Sequence, residues 1–290
     1  MFEGSCPALI TPMKSQGQID EKALISLVEW HIQEGSDAIV VCGTTGESAT
    51  LTPQEHHRVI DVVNKAAKRR IPIIAGTGTN ATASTIAATA SAKEIGVDAC
   101  LIVTPYYNRP TQEGLLAHYQ AISKAVNIPI ILYNVPSRTA CDMLALTVGE
   151  LSKIPTIKGI KEATGNLSRL SELREVCRED FKFYSGDDPS CLAFIRNGGH
   201  GVISITAYVA PKAMHQMCQF ALNKDYDKAQ ALDEQLQALH HMMIAQANPI
   251  PVKWAMHHLG KVEDGIRLPL TVLGKEHHDN MIKALKTANL

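Results

Sequence analysis

Residues Ile157 to Asn166 read IKGIKEATGN and place two lysines, Lys158 and Lys161, in one short apolar run. Lys158 stands at the entry end of the run, where a solvated lysine is ordinary. Lys161 stands near the exit, and a charged ammonium in a buried segment is costly unless it is paired, neutralised or used. The functional use is nucleophilic. A desolvated, partly neutral amine attacks a carbonyl to form a Schiff base, and the resulting iminium serves as an electron sink. Such chemistry needs a proton shuttle for making and losing the carbinolamine, and the phenol of Tyr133 in YNVPSRT suits that task. It also needs donors for anions, because keto-acid substrates carry carboxylates. The hydroxyls and backbone N–H groups of Gly43-Thr44-Thr45-Gly46 fit this need, and Arg138 offers a bidentate grip on a second carboxylate. The plain alternative for Lys161 is a rim lysine salt-bridged to Glu162 or Asp188.

These residues need a scaffold that aims them at one point. Short apolar runs recur along the chain at 8–11, 38–41, 72–75, 100–103, 129–132, 157–160, 182–185 and 201–205. Each has the length of a strand, and several are rich in Ile and Val. Helical segments lie between them. Asp20 opens one that Gly35 closes, Thr52-Pro53 with Glu55 opens another, and Asn166 is placed to cap a third. Near-continuous apolar strands alternating with helices indicate parallel crossover units covered on both faces. A doubly wound open sheet and a closed barrel both satisfy that pattern. Eight strand candidates in 290 residues favour the (β/α)8 barrel over residues 1–223. Beyond it, residues 224–290 read as a helical extension packed on the barrel, with helices near 225–245, 248–259 and 275–288.

In such a barrel the functional loops follow the strands. Those loops here are CGTTGES (42–48), GTGTN (76–80), TPYYNRP (104–110), YNVPSRT (133–139), KEATGN, SGDDPS and SITAY. Loops at the opposite strand ends, such as KRRIP and VNIP, are chemically plain. Side-chain alternation groups Ile157, Gly159 and Lys161 on one face of their strand, and Pro129, Ile131 and Tyr133 on one face of the preceding one. Lys161 and Tyr133 then point together into the barrel mouth.

Composition agrees with a soluble globular chain: 45% of residues are hydrophobic and 20% charged, and the formal net charge is -1. That balance gives no reason to expect nucleic acid or an anionic membrane surface as partner. The start lacks the pattern of a secretory leader, and no stretch has the apolar length of a membrane span. Seven scattered cysteines without a C-x-x-C pair suit reduced thiols in the cytoplasm.

GTTGES, YYNRP, YNVPSRT, GIKEATGN, SGDD, GGHGVIS and the tail motif NPIPVKWA (248–255) together resemble the dihydrodipicolinate synthase family of pyruvate-dependent class I aldolases. The resemblance spans essentially the whole chain, and Arg138 in PSRT separates this family from its sister enzymes. It implies that Lys161 forms the Schiff base with pyruvate and that Tyr133 is the general acid/base, linked through Thr44 to Tyr107. In the family that second tyrosine comes from the neighbouring subunit of a tight dimer, and the family is mostly tetrameric. The resemblance further implies that Thr45 binds the pyruvate carboxylate, that Arg138 binds the carboxylate of L-aspartate 4-semialdehyde, and that Ile203 and Gly186 line the pocket. The implied product is 4-hydroxy-tetrahydrodipicolinate, on the route to diaminopimelate and lysine, made without a metal or organic cofactor.

Ser48, Ala49, His56, Asn80 and Tyr106 match positions that line the lysine-regulatory site of inhibited members. Ser84 stands where those members carry a glutamate, and Pro53 where many carry histidine, so weak or absent feedback by lysine is expected. Rival readings are weaker. GTGTNA (76–81) fits a dinucleotide fingerprint, but it follows the third strand and no acidic residue ends the next. Four His-His pairs (56–57, 240–241, 257–258, 277–278) lack metal-ligand spacing, and Gly186-Asp187-Asp188 reads as a rim turn and helix cap before it reads as a chelator. The remaining alternatives are a sister lyase acting on a sialic or keto-deoxy sugar acid and a binding protein on the same barrel.

Overall fold

A computed structural model describes residues 2–290. Eight parallel strands are present: β1 (Gly4–Pro7), β2 (Ile39–Val41), β3 (Ile73–Gly76), β4 (Ala99–Val103), β5 (Ile130–Asn134), β6 (Ile157–Glu162), β7 (Lys182–Ser185) and β8 (Gly201–Ser204). They are hydrogen-bonded in the order β1-β8-β7-β6-β5-β4-β3-β2. The remaining seam, between β1 and β2, is joined by a parallel bridge from Ala8 to Val40, with the Leu9 N–H donating to the Val40 carbonyl at 2.8 Å. The result is a (β/α)8 barrel with helices outside it. Among the described residues no helix is long and apolar enough to cross a membrane.

Two apolar layers hold this arrangement. Cys6, Val40, Ile74, Leu101, Ile131 and Ile203 belong to a cluster that fills the barrel. A larger cluster, including Val41, Ile73, Ile130 and Leu132, lies between the strands and the surrounding helices. Full burial of each such side chain is worth about 1.5–3 kcal/mol before entropy is counted. Helix punctuation largely follows the sequence. Asp20 accepts the Ala23 N–H at 3.0 Å, and Thr52 and Glu55 form a reciprocal capping box ahead of Pro53–Ala67. Asn166, expected as the cap of the third helix, stands one residue early: Leu167 is the N-cap of Ser168–Val176 and makes no side-chain cap bond, while Asn166 accepts the Ser168 N–H at 3.1 Å.

Two further expectations are corrected. The first strand is Gly4–Pro7 rather than residues 8–11. Ala8 to Ile10 are buried, but past Pro7 only Ala8 keeps a bridge to a neighbouring strand, so the apolar run closes the seam to β2 and then leaves the ladder for the outer apolar layer. The second correction concerns alternation on β6. Its register with β5 pairs Ile130 with Ile157 and Ile131 with Gly159, so Lys158 is an extra residue in a bulge. Ile157 therefore joins Ile160 in the outer layer, while Gly159 and Lys161 keep the inward phase.

Past β8 the chain is helical: Pro211–Leu222, Tyr226–Met242, Ile250–His258 and His278–Thr287. Pro211–Leu222 packs on β1, and Ile250–His258 packs on the short Thr206–Val209 helix that follows β8. This brings the tail beside the ends of the strands that carry the candidate site.

Candidate active site

Tyr133 on β5 and Lys161 on β6 are register partners on adjacent strands, each 7% exposed. The Lys161 Nζ lies over the Tyr133 ring, 4.5 Å from its centroid. Among the described residues no carboxylate forms an ion pair with Lys161. The two acids proposed as rim partners are used elsewhere. Glu162 lies on the opposite face of β6, accepting from Asn134 Nδ2 at 3.0 Å and from the Thr164 N–H at 2.8 Å. Burial raises its carboxyl above the ordinary range, and the donors from Asn134 and Thr164 oppose that rise. Asp188 accepts the N–H groups of Ile205 and Thr206 at 3.0 and 2.9 Å, pinning the loop after β8. A nucleophilic amine needs its lone pair, and a fixed carboxylate partner would hold that pair in an ammonium. The salt-bridged rim reading is therefore set aside.

Outward residues of the same two strands brace this pair. Asn134 faces Glu162 in register, donates also to Asp142 at 2.8 Å and accepts the Met143 N–H at 3.0 Å. Arg169 closes the group through Asp142 at 2.5 Å. Buried polar groups that satisfy one another in this way fix strand ends more firmly than apolar contact alone.

Gly186 closes the space beside the lysine. A Cβ built there would lie 2.6 Å from the Ala163 Cβ and 2.8 Å from the Lys161 Cε. Only the absence of a side chain lets the loop after β7 pass so close. Gly186→Ala should lower kcat/KM by roughly 100-fold through displacement of the amine, with about 1–3 kcal/mol lost to overpacking. Steady-state kinetics and a thermal melt measure both, and a Gly186→Ala variant with wild-type kinetics would contradict this seating of Lys161.

The loop after β2 supplies backbone donors at the barrel mouth. The Gly46 N–H is taken by the Gly43 carbonyl at 3.1 Å, and that of Glu47 by the Thr44 carbonyl at 3.1 Å. The consecutive N–H groups of Thr44 and Thr45 have no acceptor among the described residues. Two adjacent amides left open are donors that an anion can take. Thr45 is buried, and its hydroxyl accepts from Asn248 Nδ2 at 3.0 Å; Thr11 holds the Gly46 carbonyl at 2.7 Å. Thr44 is half-buried. Ile203 is buried on β8 and pairs with Cys6.

Sequence reasoning gave no role to three residues that hold this loop. Glu47 adopts a left-handed backbone (φ 55°) and is buried, and Lys253 of the Ile250–His258 helix pairs with its carboxylate. The other Glu47 oxygen accepts the Arg267 N–H at 3.1 Å. Burial pulls the Lys253 ammonium below its usual range, while Glu47 opposes that shift. Asn248 is the third. The available signal was Lys253 itself, a charge inside IPVKWAM, the same anomaly that drew attention to Lys161.

Other predicted residues stand apart from the buried pair. Arg138 is exposed on the short Pro136–Thr139 helix. Tyr107 is 89% exposed, with a left-handed backbone (φ 73°), and no hydrogen bond links it to Thr44 or Tyr133 in this chain. Ser48, Ala49, His56, Asn80 and Tyr106 lie on or next to the loops after β2, β3 and β4. His56 Nε2 is bonded to the Gly76 carbonyl at 2.7 Å, Tyr106 is 39% exposed, and Ser84 and Pro53 are exposed. The glycines of GTGTNA are consumed by packing: a Cβ would lie 2.4 Å from the Cys42 carbonyl oxygen at Gly76 and 2.5 Å from the Val103 nitrogen at Gly78. That explains the motif without a nucleotide. All seven cysteines are free.

The family model for the dihydrodipicolinate synthetase family matches residues 1–288. The chain belongs to this family. A 4-hydroxy-tetrahydrodipicolinate synthase from Methylococcus capsulatus is 54% identical over 290 residues, covering 100% of both chains. Among solved structures, a chloride-inhibited dihydrodipicolinate synthase from Acinetobacter baumannii complexed with pyruvate is 47% identical, with a TM-score of 0.98 and coverage of 100% of this chain and 99% of that one. The Cyanidioschyzon merolae enzyme with lysine bound is 37% identical, with a TM-score of 0.96 and coverage of 100% and 99%. Membership in the dihydrodipicolinate synthetase family fits a barrel whose mouth carries an inward lysine, an inward tyrosine and two open backbone amides.

Proposed function

We infer that this chain is a lyase that condenses pyruvate with L-aspartate 4-semialdehyde to give 4-hydroxy-tetrahydrodipicolinate, in the diaminopimelate and lysine pathway. The observation that carries the reading is the buried Lys161–Tyr133 pair, free of carboxylates and set in the barrel mouth with the open Thr44 and Thr45 amides. Lys161 attacks the pyruvate ketone, and Tyr133 carries protons as the carbinolamine forms and loses water. The amides of Thr44 and Thr45 hold the pyruvate carboxylate. Loss of a methyl proton turns the imine into an enamine, whose carbon attacks the aldehyde. The substrate's own amine then displaces Lys161 and closes the ring. Arg138, exposed on its short helix and without an ion-pair partner among the described residues, receives the second carboxylate. The steps use groups of the protein and of the two substrates, and the reading assigns no metal or organic cofactor to the reaction.

Tyr107 is proposed to act in a neighbouring copy. A tyrosine held nearly fully exposed in a left-handed backbone carries a cost that burial in a partner would offset. The proposed assembly is a tetramer built as a dimer of tight dimers, in the cytoplasm. Conversion of pyruvate and L-aspartate 4-semialdehyde to product is the direct assay. Cleavage of sialic or keto-deoxy sugar acids without that condensation would favour the sister-lyase reading instead.

Feedback by lysine should be weak. With Ser84 in place of a carboxylate, one charge-assisted hydrogen bond to the inhibitor is lost, worth about 1.5–3 kcal/mol, or roughly 10- to 150-fold in affinity. Titration of the condensation assay should show no inhibition at submillimolar lysine, and Ser84→Glu should strengthen whatever inhibition remains. Strong submillimolar inhibition of the wild-type protein would refute this.

A further inference from the structure

Behind the loops that follow β7 and β8, three buried side chains converge away from the barrel mouth. Cys191 opens the Cys191–Arg196 helix, and Asp233 and His240 lie on one face of Tyr226–Met242, two turns apart. One ligating atom from each, the cysteine sulfur, a carboxylate oxygen and a ring nitrogen, all lie within 4.8 Å of one another. Asp233 Oδ1 and His240 Nε2 are 3.8 Å apart. The three residues are 0%, 7% and 0% exposed, in that order.

Hydrogen bonding divides each polar group into a tied atom and a free one. Asp233 Oδ2 accepts from Gln237 Nε2 at 2.7 Å, while its Oδ1 is buried without a partner. His240 Nδ1 is bonded to Thr206 Oγ1 at 2.8 Å, while its Nε2 is buried without a partner. Asp188, whose charge acts on His240, follows the same rule: Oδ2 takes two backbone N–H groups and Oδ1 has none. Eight buried side-chain atoms lack a partner among the described residues, and three of them, on Asp188, Asp233 and His240, fall in this one region, a concentration that an ion or a water would explain. Outer atoms fixed by hydrogen bonds, with inner atoms left open toward a common point, are how metal ligands are oriented. Charge agrees as well. Burial pushes both the Cys191 thiol and the Asp233 carboxyl upward, because each loses the solvation its charged form would need. A dication would balance the charge of one thiolate and one carboxylate.

We propose that Cys191, Asp233 and His240 bind one divalent cation of the zinc class, with a fourth position for water. Sulfur, imidazole and a single carboxylate select a borderline-soft ion over magnesium or calcium. A surface pocket of about 310 Å³, lined by Pro189, Leu192, Arg196 and Asp233, reaches one of the three ligands from outside. The ion ties the Tyr226–Met242 helix to the start of the helix after β7, a few residues beyond the Gly186 that seats Lys161. Sequence spacing could not show it, because the ligands come from two separate segments and only one member of the His240-His241 pair faces the cluster.

The test is titration of the chelator-stripped, full-length protein with Co²⁺, followed by absorbance. Binding should saturate at one ion per chain with a near-ultraviolet thiolate-to-cobalt band. Cys191→Ser should remove that band, and Asp233→Asn, at the pocket, should weaken binding by at least about tenfold. No stoichiometric uptake by the wild-type protein would overturn the proposal and leave a buried water in the space. Survival of the band in Cys191→Ser would overturn it too, by assigning the thiolate to another cysteine. If Cys191→Ser does not fold, Asp233→Asn decides, and unchanged affinity there counts against the site.

Discussion

Replacing Lys161 by arginine should abolish turnover while leaving the barrel folded. Arginine keeps the positive charge and a stem of similar reach, but its guanidinium stays protonated and offers no lone pair to a ketone. If the amine is the nucleophile, kcat should fall by on the order of 10⁴-fold or more, the scale on which removal of a covalent catalyst is felt. A rim lysine would give a small change, because its role would be charge alone. Tyr133→Phe separates the second function from the first. The amine lies over the ring face, so phenylalanine preserves the packing and removes only the hydroxyl. Its expected loss is roughly 10²- to 10⁴-fold, the range for a general acid/base. Rates for both variants, with circular dichroism as a folding control, decide the matter. Lys161→Arg activity within tenfold of wild type would be incompatible with imine chemistry at this residue.

The second large effect is on stability. Lys253 and Glu47 form an ion pair whose side chains are 4% and 0% exposed. Removing one partner strands a buried charge, so Lys253→Met should cost about 3–5 kcal/mol of unfolding free energy. The double variant Lys253→Met, Glu47→Gln should recover much of that loss, since neither site then holds an unpaired charge. The pair also fixes the turn that presents the Thr44 and Thr45 amides, so the apparent KM for pyruvate should rise more than kcat falls. Denaturant unfolding of the single and double variants checks the first claim, and pyruvate saturation curves check the second. A Lys253→Met variant as stable as the wild type would mean that the tail helix does not hold the loop.

Lys161 and Tyr133 were legible because each ends a buried apolar run, where alternation and the direction of parallel strands leave few choices. The same alternation misplaced Ile157, since a bulge at Lys158 leaves no mark in a run that is apolar on both faces. The first strand was misplaced for the opposite reason: GSCP forms the ladder to β8 without an apolar signature, and of the apolar residues beside it only Ala8 and Leu9 touch a neighbouring strand. The braces of the site were hidden by separation along the chain. Lys253 and Glu47 lie 206 positions apart, and Asn248 and Thr45 lie 203 apart, distances that only the closed barrel and its returning tail bring to zero. Gly186 was visible only as part of a turn, because its necessity arises from the Lys161 Cε, a contact between neighbouring strand ends.

The most direct measurement is the intact mass of the protein after incubation with pyruvate and borohydride, followed by peptide mapping. One reduced pyruvate adduct per chain, mapped to Lys161 and absent from Lys161→Arg, is the expected result. A folded sample without an adduct, or an adduct on another lysine such as Lys158 or Lys253, would contradict Lys161 as the nucleophile.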